Sequence, residues 1–275
     1  MTTETKRWLL LTLVSSFAAC AKPTPPPPPS AVTVTYTGSE YDFAGPDTVA
    51  AGLVTVRLVN AGKEPHQLGL ARLDSGKGMV DVAIAMRGRA VPGWMTFVGG
   101  PNTVLPGATA TAIQALTAGD YLLVCFLLAP DGRMHLEKGM ERMIVVKGTA
   151  PAAADPAADD TITLSDYDFT AAHPLTAGAH TLRVENTGPQ LHQLLILRVL
   201  PGKSLKDFRR WAGNDMIGPP PASPAGGIVA LTKGRHAEFT VTLVAGNYIL
   251  VCFAPDDNDG KPHVAHGMMK AITVS

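Results

Sequence analysis

Cysteine is scarce in this 275-residue chain, with three in all, and aromatic residues make up only 6% of it. Charge of one sign is missing too. The 23 Lys and Arg residues balance 23 Asp and Glu, for a net charge of +0. Such a chain has no electrostatic footprint for nucleic acid, for an acidic substrate or for an anionic membrane surface, so no nucleic-acid partner is expected. The apolar run from Trp8 to Val14 is too short to cross a bilayer as a permanent helix. What the chain has in quantity is glycine, 27 residues, and proline, 23. With so few aromatics, that composition suits an all-β protein rich in turns. The length leaves room for two domains, each burying its own core.

The first thirty residues read as export and tethering signals. Lys6 and Arg7 supply a positive start, Trp8 to Val14 the apolar stretch, and small residues then lead to Cys20. Phe17-Ala18-Ala19-Cys20 resembles a bacterial lipobox, with Phe17 where Leu is usual. Residues 1–20 are therefore expected to form a lipoprotein-type signal peptide, with Cys20 lipidated. Cleavage near Ala19 or Ala21 by an ordinary secretory route is the alternative. Residues 21–30, with five consecutive prolines, are expected to form a stiff polyproline II tether of roughly 25 Å. These features imply an exported protein, periplasmic or on the cell surface, anchored to the membrane by lipid.

Self-similarity organises the remainder. Tyr41-Asp42-Phe43 returns as Tyr167-Asp168-Phe169, Asn60-x-Gly62 as Asn186-x-Gly188, and His66-Gln67 as His192-Gln193. Gly119-x-Tyr121 matches Gly246-x-Tyr248, and Val124-Cys125-Phe126 matches Val251-Cys252-Phe253. The offset between partners drifts by only two residues from first to last. The pattern predicts one domain over 31–148, an Ala/Pro/Asp linker over 149–160 and a second domain over 161–275. Val54, Val56 and Leu58 alternate with Thr55 and Arg57, the period of a half-buried strand. Further strands are predicted over 120–126, 143–146, 247–253 and 271–274. One helix per copy is predicted near Met79 to Arg87 and Leu205 to Trp211. Many short strands with regular turns predict an all-β fold of two tandem Greek-key β-sandwiches, each with a short helical insertion.

Each copy carries an early His, then a Cys, a His and a Met close together: His66, Cys125, His135 and Met140, then His192, Cys252, His263 and Met268. His-x-x-x-x-Met is common to both. The two cysteines occupy equivalent core positions in separate domains, badly placed to bridge each other. Lone cysteines in an oxidising compartment call for another role, and metal ligation leads. Taken singly, a buried Cys or Met is ordinary core and a lone His an ordinary polar residue. Two matching quartets shift that balance. Two imidazoles, a thiolate and a distant thioether suit an electron-transfer copper site, because the soft sulfurs favour Cu(I) while imidazole accepts both oxidation states. His266 has no partner in the first copy and reads as a loop residue. His173, His180 and His236 read as surface residues, and Met134, Met143 and Met269 as packing.

These segments resemble the cupredoxins, the blue copper proteins. Asn60-Ala61-Gly62-Lys63-Glu64-Pro65-His66 is similar to the family's loop before its first His ligand, and Gly119-x-Tyr121-x-x-x-Cys125 to its strand leading to the Cys ligand. The closing loops to His135 and His263 are similar to the longer loops of copper nitrite reductases. Gln67 and Gln193 depart from the family, which often places there an Asn that braces the ligand loop. The resemblance implies one type 1 copper per domain, outer-sphere electron transfer to a redox partner protein, and His135 or His263 as a solvent-reachable electron port. Cys125 and Cys252 have no His neighbour and the chain has no His-x-His pair, so the extra copper site of the family's enzymes is not expected and the reading is non-enzymatic. Copper trafficking or buffering, and a metal-free β-sandwich for partner binding, are the alternatives.

Overall fold

A computed structural model describes residue 1 and residues 31–85, 91–149, 154–214 and 216–275. The expected signal peptide, Cys20, the proline tether and residues 150–153 of the linker lie outside the described residues.

The first half holds nine strands: β1 (Val32–Ser39), β2 (Asp42–Ala44), β3 (Thr48–Ala50), β4 (Gly52–Asn60), β5 (Gly69–Leu73), β6 (Met95–Gly99), β7 (Thr109–Leu116), β8 (Gly119–Val124) and β9 (Glu141–Lys147), with helix α1 (Met79–Ala85) between β5 and β6. The second half holds β10 (Asp160–Ser165), β11 (Asp168–Ala171), β12 (Gly178–Asn186), β13 (His192–Val199), β14 (Ala222–Leu231), β15 (His236–Leu243), β16 (Gly246–Val251) and β17 (Met269–Val274), with α2 (Leu205–Ala212) between β13 and β14. Among the described residues the fold is all-β with one α-helix in each half, as the turn-rich composition and alternating segments lead one to expect.

Alternation decides which face of each strand is buried. Val54, Val56 and Leu58 of β4 point inward and are at most 1% exposed, while Arg57 between them is exposed. β8 has no such alternation because both its faces are covered. Tyr121 and Leu123 enter the sandwich core with Cys125, whereas Leu122 and Val124 pack outward in the cluster that includes Val82 of α1. β16 repeats this, with Tyr248 and Leu250 inward and Ile249 and Val251 outward beneath Phe208 of α2. Ser204 caps α2 by accepting a hydrogen bond from the Asp207 amide (3.3 Å). A tyrosine pins the turn before each of these strands. The Tyr121 hydroxyl donates to the Thr117 carbonyl (3.0 Å) and accepts from the Thr117 amide (3.1 Å), and Tyr248 treats Val244 the same way.

The sheets run continuously through both halves. One has the order β11-β10-β12-β15-β7-β4-β1-β2, the other β17-β16-β13-β14-β6-β5-β8-β9-β3. At the seam β15 meets β7 at Glu238 and Ile113, and β14 meets β6 at Leu231 and Val98. Two inner cores result, one around Cys125 and Met140 in the first half and the other around Cys252 and Met268, which takes in Ala112 of β7 as well. Among the described residues no helix is long and apolar enough to cross a membrane.

Candidate metal centre

β8 and β16 end one residue short of a cysteine. From there the chain makes a loop whose hydrogen bonds return it to that cysteine. The Cys125 amide donates to the Met140 carbonyl (3.2 Å), the Met140 amide to the His135 carbonyl (2.9 Å), and the Leu136 amide to the Cys125 carbonyl (2.9 Å). In the second half the Cys252, Met268 and Val264 amides make the equivalent bonds at 3.2, 3.0 and 2.9 Å. Backbone pairing thus sets the spacing of Cys, His and Met, which explains the shared His-x-x-x-x-Met.

The first His arrives from the other side of the sandwich. Asn60 closes its loop by donating from Nδ2 to the Glu64 and Val104 carbonyls (both 2.8 Å), while Oδ1 accepts from the Gly62 amide (2.9 Å). Asn186 does the same for Gln190, Leu231 and Gly188. The glycine of each Asn-x-Gly is demanded by the imidazole: a Cβ on Gly62 would stand 2.7 Å from His66 Nε2, and one on Gly188 2.8 Å from His192 Nε2. Bracing therefore comes from Asn60 and Asn186, six residues before each His. The repeated Asn-x-Gly was the sequence signal for it.

Three of each predicted quartet converge. One donor atom each from His66, Cys125 and His135 lie within 4.8 Å of one another, and the same holds for His192, Cys252 and His263. His135 Nδ1 lies 3.4 Å from Cys125 Sγ and 3.2 Å from His66 Nδ1, and His263 Nδ1 lies 3.5 Å from Cys252 Sγ. All six side chains are buried. Met140 and Met268 are buried in the same core clusters as their cysteines, and Met140 Cε and His66 Cδ2 both reach within 3.5 Å of where a Gly38 Cβ would be. His266 stays outside, paired with Asp259 (3.1 Å). His173 is largely exposed and His180 donates to the Thr176 carbonyl, but His236 is no plain surface residue: it pairs with Asp155 (2.9 Å) beside the buried Glu238.

The surroundings suit a soft cation. His192 donates from Nε2 to Asp166 (2.7 Å), which leaves its buried Nδ1 with a free lone pair and no partner among the described residues. His135 is oriented likewise, Nε2 against Glu64 Oε2 (3.0 Å). Burial holds all four imidazoles below their ordinary range, His263 at about 4, so each is neutral at pH 7. Burial also pushes the Cys125 thiol up to about 11 and the Cys252 thiol up to about 12, although the Gln67 and Gln193 amides point at the sulfurs from 3.5 and 3.4 Å. A buried thiol beside neutral imidazoles and a thioether, with a ring nitrogen left unpartnered, is the donor set that copper takes.

The two centres are not alike. Glu64 Oε2 lies 3.0 Å from the second His of the first, whereas the second His of the other has Gln190 at 3.4 Å and the Asp256 carboxylate at 3.9 Å. Asp166 holds His192, while His66 Nε2 is buried without a partner among the described residues. Tyr167 donates its hydroxyl to Asp256, holding that carboxyl well below the usual range. The solvent-reachable port expected at His135 or His263 is not found, since both are 0% exposed. The closing loop makes a 3-10 turn right after His135 and one that begins with His263, and Tyr41 and Tyr167 lie edge-on against the two rings at 5.2 and 5.3 Å. Gln67, Gln193, Phe126 and Phe253, each next to a predicted ligand, line one shared cleft of about 420 Å³.

No family model matches the chain, and no curated protein matches its sequence. Solved structures do. A reduced auracyanin from Roseiflexus castenholzii is 23% identical, with 42% of this chain and 94% of its own aligned at a TM-score of 0.30. Auracyanin A of Chloroflexus aurantiacus, described as a "blue" copper protein, is 18% identical over 43% of this chain and 100% of its own, with a TM-score of 0.32. A copper nitrite reductase from Nitrosomonas europaea is 16% identical over 90% of this chain and 94% of its own, with a TM-score of 0.27. The expectation of a non-enzyme is corrected here, because the structures that span most of this chain include that reductase, an enzyme by name. Sequence motifs do not separate a carrier from an enzyme built on the same fold. With two sheets that run through both halves, the chain is an all-β protein, similar in part to blue copper proteins and over most of its length to a copper nitrite reductase.

Proposed function

We propose that the two halves, 31–148 and 161–275, are domains that each bind one copper ion as a type 1 site and pass single electrons to a redox partner protein. His66, Cys125, His135 and Met140 hold the first ion, and His192, Cys252, His263 and Met268 the second. Copper supplies a one-electron couple when bound. The protein's own contribution is to keep the ligands still and dry. The Asn60 and Asn186 loops fix one imidazole, the backbone bonds between Cys, His and Met fix the other three donors, and burial excludes water. Anchoring at the cell envelope through lipid on Cys20 and the proline tether belongs to the same proposal. A trafficking role would use Met134, Met143 and Met269, but these pack against the cores.

The observation that carries this reading is the double convergence of a buried thiol and two neutral imidazoles within 4.8 Å. Copper content and the visible spectrum test it, on the wild type and on Cys125→Ala and Cys252→Ala separately. Two coppers and an intense thiolate-to-copper band are expected, each variant losing one copper and its share of the absorption. A colourless copper complex, or copper content unchanged in both variants, overturns the reading.

A further inference from the structure

β6 and β14 occupy equivalent places in their halves, and they meet antiparallel at the seam with Pro101 opposite Ile228. Just before this pair stand Gly100 (φ +118°) and Gly227 (φ +147°). Each is glycine for the same reason. A Cβ on Gly100 would lie 2.0 Å from the Leu68 carbonyl oxygen, and one on Gly227 2.1 Å from that of Leu194. Leu68 and Leu194 each come two residues after a first His. The two ligand strands are thus drawn tight against the seam from opposite sides.

On one side a polar side chain completes the connection. Asn102 follows Pro101, where the second half has Val229. Asn102 is 1% exposed. Its Oδ1 accepts from the Thr103 amide (2.8 Å) and hydroxyl (3.1 Å), which fixes Nδ2 as the end facing the other half. Nδ2 reaches past β14 and donates to the Leu194 carbonyl of β13 (2.9 Å), with the Ile228 carbonyl at 3.3 Å. A continuous path of covalent and hydrogen bonds results. Cys125 Sγ accepts from the Gln67 amide (3.5 Å); the next residue, Leu68, donates its amide to the Pro101 carbonyl (3.0 Å); Asn102, bonded to Pro101, donates to Leu194 (2.9 Å); and Gln193, bonded to Leu194, donates its amide to Cys252 Sγ (3.4 Å). Every residue on the path is buried.

We propose that this relay carries one electron between the two cysteine sulfurs, so that the two centres exchange electrons within one molecule. The inference rests on the copper reading above. The exchange balances simply: the reduced centre loses the electron that the oxidised centre gains, and no proton moves. It has a direction because the centres differ: a carboxylate lies 3.0 Å from His135 Nε2, whereas His263 Nε2 has an amide oxygen at 3.4 Å and the Asp256 carboxylate only at 3.9 Å. Asn102 acts as a positioning residue and bridge and touches neither ion. Its unbroken hydrogen bonds in a dry, close-packed seam make the path better connected than packed side chains alone.

The test uses the full copper-loaded chain, given less than one electron per molecule by a radiolytic pulse and followed through the absorption and electron paramagnetic resonance of each centre. The wild type should show an exchange phase whose rate constant does not change with protein concentration. Asn102→Val, which installs the residue of the second half, should keep both coppers and lose that phase. Cys252→Ala should lose it as well. Exchange in the wild type that scales with protein concentration overturns the relay, even if the valine variant fails to fold. A fast phase unchanged in a fully loaded Asn102→Val also overturns it. Wild type lacking copper at either centre overturns the proposed function instead, and is told apart by the metal content measured first.

Discussion

If Cys125 and Cys252 are ligands, metal binding must release protons, and the structure says how many. Burial pushes the two thiols up to about 11 and about 12. At pH 7 the first thiol is then about four pH units below its midpoint, so only about one molecule in 10⁴ carries the thiolate. The four imidazoles, all held below their ordinary range by burial, are already neutral. An ion entering either centre therefore displaces about one proton, from sulfur, and none from nitrogen. The sign follows. Because the thiol is raised, apparent affinity climbs with pH by about tenfold, or ~1.4 kcal/mol, per unit from neutrality until the thiol's own midpoint. Titration calorimetry with Zn²⁺, a redox-silent probe, in two buffers of different ionisation enthalpy counts the protons. Close to two per wild-type molecule are expected, falling to one in Cys125→Ala and in Cys252→Ala. A count near zero, with ions bound, would mean that sulfur is not a ligand and would refute the reasoning.

Other consequences follow from particular contacts. Gly100→Ala (φ +118°) forces a Cβ into the Leu68 carbonyl, whereas Gly178→Ala has a comparably positive φ (+132°) but nothing within 4 Å, so urea unfolding should show Gly178→Ala costing about 1–3 kcal/mol and Gly100→Ala clearly more. Equal costs would refute the close approach. Glu238 is fully buried, with Oε1 accepting from Arg183 (3.1 Å) and Oε2 unpartnered among the described residues, and burial raises it to about 7 from 4.5. Its contribution is present below about pH 4.5 and lost as pH rises through about 7. Glu238→Gln should therefore gain up to about 3 kcal/mol at pH 8 and nothing at pH 4, read from denaturant midpoints at each pH. Tyr248→Phe removes both hydrogen bonds to Val244 and should cost about 1–2 kcal/mol, with Tyr121→Phe costing the same in the other half.

Much of this was legible along the chain, for local reasons. The all-β fold could be read because Val54, Val56 and Leu58 alternate with polar neighbours, and a strand's period follows from its own pleat. β8 was visible as a run rather than an alternation, since it is covered on both faces. Asn60-x-Gly62 and Asn186-x-Gly188 stood out as repeats, but their work was hidden until the imidazole was seen 2.7 and 2.8 Å from where a Cβ would be. The solvent reach expected of His135 and His263 came from the family resemblance; both are buried, with Tyr41 and Tyr167 packed edge-on against their rings, a contact that no local signal marks.

By itself, then, the sequence determined the residue types and spacings that make two thiol–imidazole–thioether sets, and the strand pattern that buries them. Those follow from short-range rules of side-chain period and ligand chemistry. Only the tertiary structure decided how the halves meet: sheets continuous across the seam, Pro101 opposite Ile228, and Asn102 reaching Leu194, 92 positions along the chain. No local signal marks a hydrogen bond between residues so far apart, because its partner is set by the packing of whole sheets rather than by neighbouring residues.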